Sequence, residues 1–82
     1  MPGVGYTLTD RALHTLLACE DHEARRLLSA MEQLGLDSGL RGVFTGSERK
    51  GRPVHAFVTG EFVIFFVRSH QKPLHVVDVL KL

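Results

Sequence analysis

The sequence predicts an α+β fold, and three observations carry that prediction. Between residues 10 and 34 apolar side chains recur at helical spacing. Between residues 53 and 80 they gather into three short runs separated by turn residues, the pattern of strands and hairpins. A charged segment, 36–52, with glycines at 39, 42, 46 and 51, divides the two halves. The expected architecture is a short first strand, a two-helix hairpin, then an antiparallel three-stranded meander packed on the helices. At 82 residues the chain is expected to form one domain, 1–82.

Each element has a local reason. Val4, Tyr6 and Leu8 alternate within 3–8, which reads as a first strand. Thr9 can cap a first helix over 10–18, with Asp10 placed where a carboxylate meets the helix dipole favourably. Ala12, Leu13, Leu16 and Leu17 share one face of that helix. Asp21 can cap a second helix, 22–34, whose stripe is Ala24, Leu27, Leu28, Met31 and Leu34. Gly35 is expected to end it as a C′ glycine. Residues 36–52 read as a connecting loop with a brief extended piece at Val43 and Phe44. Strands are expected at about 53–58, 62–68 and 74–80, with a tight turn at Gly60 and Pro73 opening the last strand.

Composition narrows the function classes. Ten Lys and Arg stand against nine Asp and Glu, for a net charge of +1. That balance makes no strong electrostatic case for nucleic acid or membrane. The second half is nevertheless basic, through Arg41, Arg49, Lys50, Arg52, Arg68, Lys72 and Lys81. The single cysteine, Cys19, permits neither an internal disulfide nor a thiolate metal cluster. His14, His22, His55, His70 and His75 have no HxH or HxxxH spacing, so no metal is expected. The glycines lack the strand-to-helix setting of a phosphate loop, and no serine sits in a nucleophile elbow. No cofactor is implied. With no apolar run of membrane-spanning length and no signal-peptide pattern, a cytoplasmic chain with no membrane partner is expected. A chain this short buries only about 60–65 % of its unfolded surface, so support from a partner or a second copy would not be surprising.

Strand pairing sorts the side chains into two faces. Pairing through a two-residue turn near Gly60 and a five-residue loop at 69–73 groups Val54, Ala56, Val58, Val63, Phe65, Val67, Val77 and Val79 on one face. This aliphatic face suits a core under the helices. The other face holds Pro53, His55, Phe57, Phe62, Ile64, Phe66, Arg68, Leu74, Val76, Asp78 and Leu80. It is expected to face away from the helices as a contact surface or to be covered by loop 36–52.

The order strand, two helices, antiparallel sheet resembles the RelE/ParE superfamily of bacterial toxins. The resemblance lies in "LRG" at 40–42, the basic turn "RKGR" at 49–52, "GEFVIFF" at 60–66 and "LHVVDVLKL" at 74–82. It spans nearly the whole chain, at the level of pattern. It implies a single RelE/ParE-like domain acting as a small toxin held inactive by a cognate antitoxin. One branch of the family cleaves ribosome-bound messenger RNA and another inhibits DNA gyrase. The nuclease branch needs cations for the scissile phosphate and an acid and a base for the sugar and leaving oxygens. Its key arginine sits near the start of the middle strand, where this chain has Phe62, or Val63 if the register slips by one. Near the C-terminus, where nuclease members often carry His, Arg or Tyr, stand Lys81 and Leu82.

What remains for catalysis is Arg52, His55 and Arg68, with Arg49, Lys50 and Lys81 as RNA-contacting cations. Against that, Asp78 shares a face with Arg68 and can simply pair with it. Three functions stay open. The favoured one is a toxin-like protein with a degraded or absent ribonuclease site, acting on translation or gyrase. An antitoxin segment would neutralise it by binding Phe57, Phe62, Ile64, Phe66, Val76 and Leu80 on the sheet. The alternatives are a ribosome-dependent mRNA endonuclease and a non-catalytic module that self-associates as a homodimer.

Overall fold

The computed structural model describes residues 6–37, 42–47, 51–68 and 74–82. Residues 3–5 of the expected first strand, the turn residues Arg49 and Lys50, and the 69–73 connection lie outside the described residues. The chain is α+β, with two helices and a five-stranded mixed sheet among the described residues. In order these are β1 (Tyr6–Leu8), α1 (Asp10–Leu17), α2 (Asp21–Leu36), β2 (Val43–Ser47), β3 (Pro53–Thr59), β4 (Phe62–Val67) and β5 (Leu74–Lys81). The strand order is β1-β5-β4-β3-β2. β2 to β5 form an antiparallel meander of four strands, and β1 lies parallel to β5 at the edge. The expected meander thus gains a strand: the extended piece at Val43 and Phe44 is part of β2, not of a loop.

A close approach of backbone explains why that strand forms behind Gly42. A Cβ at Gly42 would lie 2.7 Å from the Ala56 carbonyl carbon and nearer still to its oxygen. Only glycine lets β2 close onto β3 there. The β3–β4 turn also needs a glycine. Thr59 pairs with Phe62, so Gly60 and Glu61 are the two turn residues, and Gly60 takes φ 58°. That is the first central position, which a type II′ turn reserves for glycine.

The helix ends depart from expectation in two places. Thr9 caps α1 as expected, its hydroxyl accepting the Ala12 N–H at 3.2 Å. It also donates to the Val77 carbonyl at 2.7 Å, which ties the helix start to β5. α2 is capped by Glu20 rather than Asp21, with the Glu20 N–H donating to the Glu23 carboxylate at 3.2 Å. Gly35 does not end the helix. α2 runs through Leu36, with Asp37 as its C-cap in an extended conformation.

The larger correction concerns the two faces of the sheet. The residues fall into groups much as pairing predicts, but for most of them inside and outside are exchanged; Val67 and Val79 are buried as expected, at 2 % and 1 % exposure, and Leu80 is exposed. Phe62, Ile64, Phe66, Leu74 and Val76, expected to face away from the helices, form the core with Ala12, Leu16, Leu27, Ala30, Met31 and Leu34. Phe57 packs half-buried against them. The physical reason is size. The helices present Leu16, Leu27, Met31 and Leu34 with alanines at 12 and 30 between them, and the bulkiest side chains of the sheet fill the space beneath. Valine and alanine on the opposite face bury less area per residue and are at ease on a pleated strand.

A bulge ends the exchange. Phe66 pairs with Val76, but Phe65 pairs with Asp78, so Val77 is extra in β5. Beyond it the alternation of β5 reverses. Val79 joins the core at 1 % exposure, and Leu80 turns out to 50 %. Both helices lie over β1 and β5, and β2 and β3 extend beyond them as a wing.

Candidate functional site

Two of the three residues expected to carry catalysis meet around one ring. His55 pairs with Phe66 across β3 and β4, and their rings stack with centroids 5.9 Å apart and planes 28° apart. The Arg68 guanidinium carbon sits 5.6 Å from the centroid of the same Phe66 ring. Strand geometry produces this directly: Arg68 follows Phe66 by two residues and so lies on its side of the sheet. Phe66 is buried at its base, while His55 and Arg68 are half-buried at the rim. Arg52, just before β3, is also half-buried. The result is a shelf on the helix side of the wing, with an imidazole and a guanidinium held by one aromatic plate. A guanidinium there can bind an anion, and an imidazole can exchange a proton.

Asp78, which the sequence offered as a partner for Arg68, has contacts elsewhere. Asp78 lies 3.8 Å from Arg11 at the start of α1 and accepts the Val79 N–H at 2.8 Å.

The rest of the expected cationic site does not assemble on this shelf. Lys81 pairs with Phe62, at the opposite end of β4 from Phe66. Four strand residues separate the two positions by about 13 Å. Lys81 makes an ion pair with Glu23 of α2 at 2.9 Å, and its ammonium lies 5.9 Å from the centre of the Phe62 ring. The Lys81 hydrogen bond holds the Glu23 carboxyl below its ordinary range, aided by the bond from the Glu20 backbone. The same bond and the Glu23 charge push the Lys81 ammonium up. Lys81 therefore joins the C-terminal strand to the start of α2. Its partner, Glu23, was not singled out in the sequence, although a carboxylate in the first turn of a helix is a standard signal.

Phe62 itself is 3 % exposed. No cation can be presented from that position, and the neighbouring Val63 points to the other face. Of the six residues expected to meet an antitoxin, Phe62, Ile64, Phe66 and Val76 are core residues. Phe57 and Leu80 keep accessible surface.

Two further groups are shifted by their surroundings. Burial raises the Tyr6 hydroxyl, and the Glu32 charge adds to it. Burial also raises the Cys19 thiol, with Glu23 adding and Lys81 opposing. Cys19 donates to the Thr15 carbonyl at 3.2 Å, which marks it as a packed helix-end residue rather than a reactive thiolate. Among the described residues no group of three or more His, Cys, Asp or Glu could hold a metal ion. No helix among them is long and apolar enough to cross a membrane.

In comparisons with known proteins, no family model, no curated protein and no solved structure matches this chain.

Proposed function

We propose that this chain is a RelE/ParE-like toxin relative that acts by binding a cytoplasmic target and lacks a working ribonuclease site. The order of elements supports the family reading: a strand, two helices, then an antiparallel meander with both helices on one side. The observation that carries the loss of nuclease chemistry is Phe62. It stands where the resemblance places the phosphate-binding arginine, and it is sunk in the core. Lys81 is drawn to Glu23, away from the shelf. The target on this reading is gyrase or the translation machinery. A cognate antitoxin neutralises the protein by covering part of the sheet, with Phe57 and Leu80 retained as contacts.

Inducible expression in a bacterium tests the proposal. Growth arrest is expected, and it should survive Arg68→Ala and His55→Ala. Purified protein should leave both free and ribosome-bound message intact. Absence of arrest would remove the toxin reading, and cleavage of message would remove the claim of a lost nuclease site.

One observation favours a second reading. His55 and Arg68 share the Phe66 ring, so an acid–base group and an anion-binding group are neighbours. In an endonuclease built on that pair, Arg68→Ala would abolish both cleavage and arrest.

A further inference from the structure

One residue at the start of α1 takes two successive carbonyls of β5. The Thr9 N–H donates to the Val76 carbonyl at 3.1 Å, and the Thr9 hydroxyl donates to the Val77 carbonyl at 2.7 Å. In a regular strand successive carbonyls point to opposite edges, so one neighbour cannot reach two in a row. Thr9 can do so because Val77 is the extra residue of the bulge. The pairing of β1 with β5 ends at Val76, and Thr9 meets the edge of β5 just beyond it.

The next residue along is charged. Asp78 stands opposite Phe65, on the face away from the helices. Its carboxylate accepts the Val79 N–H at 2.8 Å and lies 3.8 Å from the Arg11 guanidinium. Without the bulge, the residues after Val76 would each shift one place along β4. Asp78 would then stand opposite Ile64, in the slot that Val79 now fills at 1 % exposure. Leu80 would stand opposite Phe62, inside, and Val79 opposite Val63, outside.

Apolar burial does not favour the register that is observed. The straight strand would exchange Val79 for the larger Leu80 in the core, a gain of apolar area. Two things oppose it. A carboxylate in that slot would lose water and both its present partners. Thr9 would keep only one of its two bonds to β5.

We infer that Asp78 and Thr9 form a register lock on β5: the strand has two registers open to it, and these two residues hold it in the bulged one. Asp78 excludes the straight register, and Thr9 recognises the bulged one. The lock acts at a distance. The bulged register sets Lys81 opposite Phe62, where it reaches Glu23 at 2.9 Å, and leaves Leu80 50 % exposed. The straight register moves Lys81 past the end of β4, opposite Glu61, and turns Leu80 inward. The start of α1 thereby controls which side chains the last strand shows. Nothing in this lock depends on a toxin activity.

Cross-strand nuclear Overhauser contacts between β4 and β5, measured by NMR, read the register directly. The wild-type protein and Thr9→Ser should show contacts of Ile64 with Val79 and of Phe62 with Lys81. Asp78→Val should fold, since either register then buries only apolar side chains. It should show contacts of Ile64 with position 78 and of Phe62 with Leu80 beside the wild-type set. Thr9→Val combined with Asp78→Val should show the straight set alone. Thr9→Val by itself should stay bulged, because the carboxylate still cannot enter the core. If the double variant does not fold, Asp78→Val decides the matter, since it leaves the cap of α1 intact. Bulged contacts alone in Asp78→Val or in the folded double variant would overturn the inference. So would loss of folding in Asp78→Val, or straight contacts in the wild type or in Thr9→Val by itself.

Discussion

The two faces of this sheet contain almost equal numbers of apolar residues and meet opposite fates. The helix-covered face is built from Phe62, Ile64, Phe66, Leu74 and Val76, all within 3 % of full burial. The open face is built from valines, Ala56 and Phe65, and keeps Val43 and Val58 mostly in solvent. The difference teaches that apolar content alone does not choose the inner face. Side-chain volume distinguishes the two, because the space between the sheet and the leucines, Met31 and alanines of the helices must be filled to near-crystalline density. The neighbours Phe65 and Phe66 make the contrast plain. They have the same chemistry and adjacent positions, yet Phe66 is 1 % exposed and Phe65 is only half-buried.

That pair also provides the sharpest way to break the comparison. Phe66→Ala should cost about 3–5 kcal/mol, a large share of the stability of so small a domain. Phe65→Ala should cost less, because Phe65 is only partly buried. Urea unfolding monitored by circular dichroism at low protein concentration measures both. Equal losses would mean that the faces are not as distinct as described.

Gly42→Ala tests the wing that carries the open face outward. The added methyl would overlap the Ala56 carbonyl, so β2 must shift from β3. A loss of about 1–3 kcal/mol is expected, read by the same titration. Amide exchange should rise in β2 and β3 before it rises in β5. A neutral outcome would mean that β2 is not held closely against β3.

The smallest expected effect concerns the pair that closes the far end of the covered face. The Glu23 carboxyl is held below its ordinary 4.5 and the Lys81 ammonium above its ordinary 10.5. The sign follows from linkage. The contribution of Glu23 is full above its unfolded value and is lost as pH falls through its lower folded value. That of Lys81 is full below its unfolded value and is lost as pH rises through its higher folded value. Thermal stability from this pair should therefore be flat between about pH 4.5 and 10.5 and fall beyond both limits. In Lys81→Met the difference from wild type should be constant across that range and narrow outside it. A difference that instead varied within the plateau would show that the pair does not act as described.

Much of this fold is legible from local chemistry. The Thr9 cap, the Leu27–Met31–Leu34 stripe, the glycine turn at 60 and the strand positions all follow from periodicity and capping. These depend on neighbours within a few residues. The features that escaped depend on residues far apart in the chain. Only the Val43–Phe44 part of β2 was visible, because its pairing with β3 needs the close approach of Gly42 to Ala56. Val79, expected in the core with Val63 and Phe65, reaches it on the other face through the bulge at Val77. Of the candidate site, the meeting of His55 and Arg68 was readable from strand alternation. The diversion of Lys81 was not, because Glu23 lies on an element 58 residues earlier.

By itself the sequence determined the two helices and the strands β3, β4 and β5, how β3 and β4 pair, and which of their side chains travel together. Those properties arise from backbone geometry and from the period of the apolar residues, and they hold wherever the elements are placed. Only the tertiary structure decided which face the helices would take. A pleated strand with apolar residues on both sides has no inner face until something packs on it. Here the bulky side chains of β4 pack against Leu16, Leu27, Met31 and Leu34 of the two helices. That packing drew Phe62 into the core and left Val43 and Val58 outside.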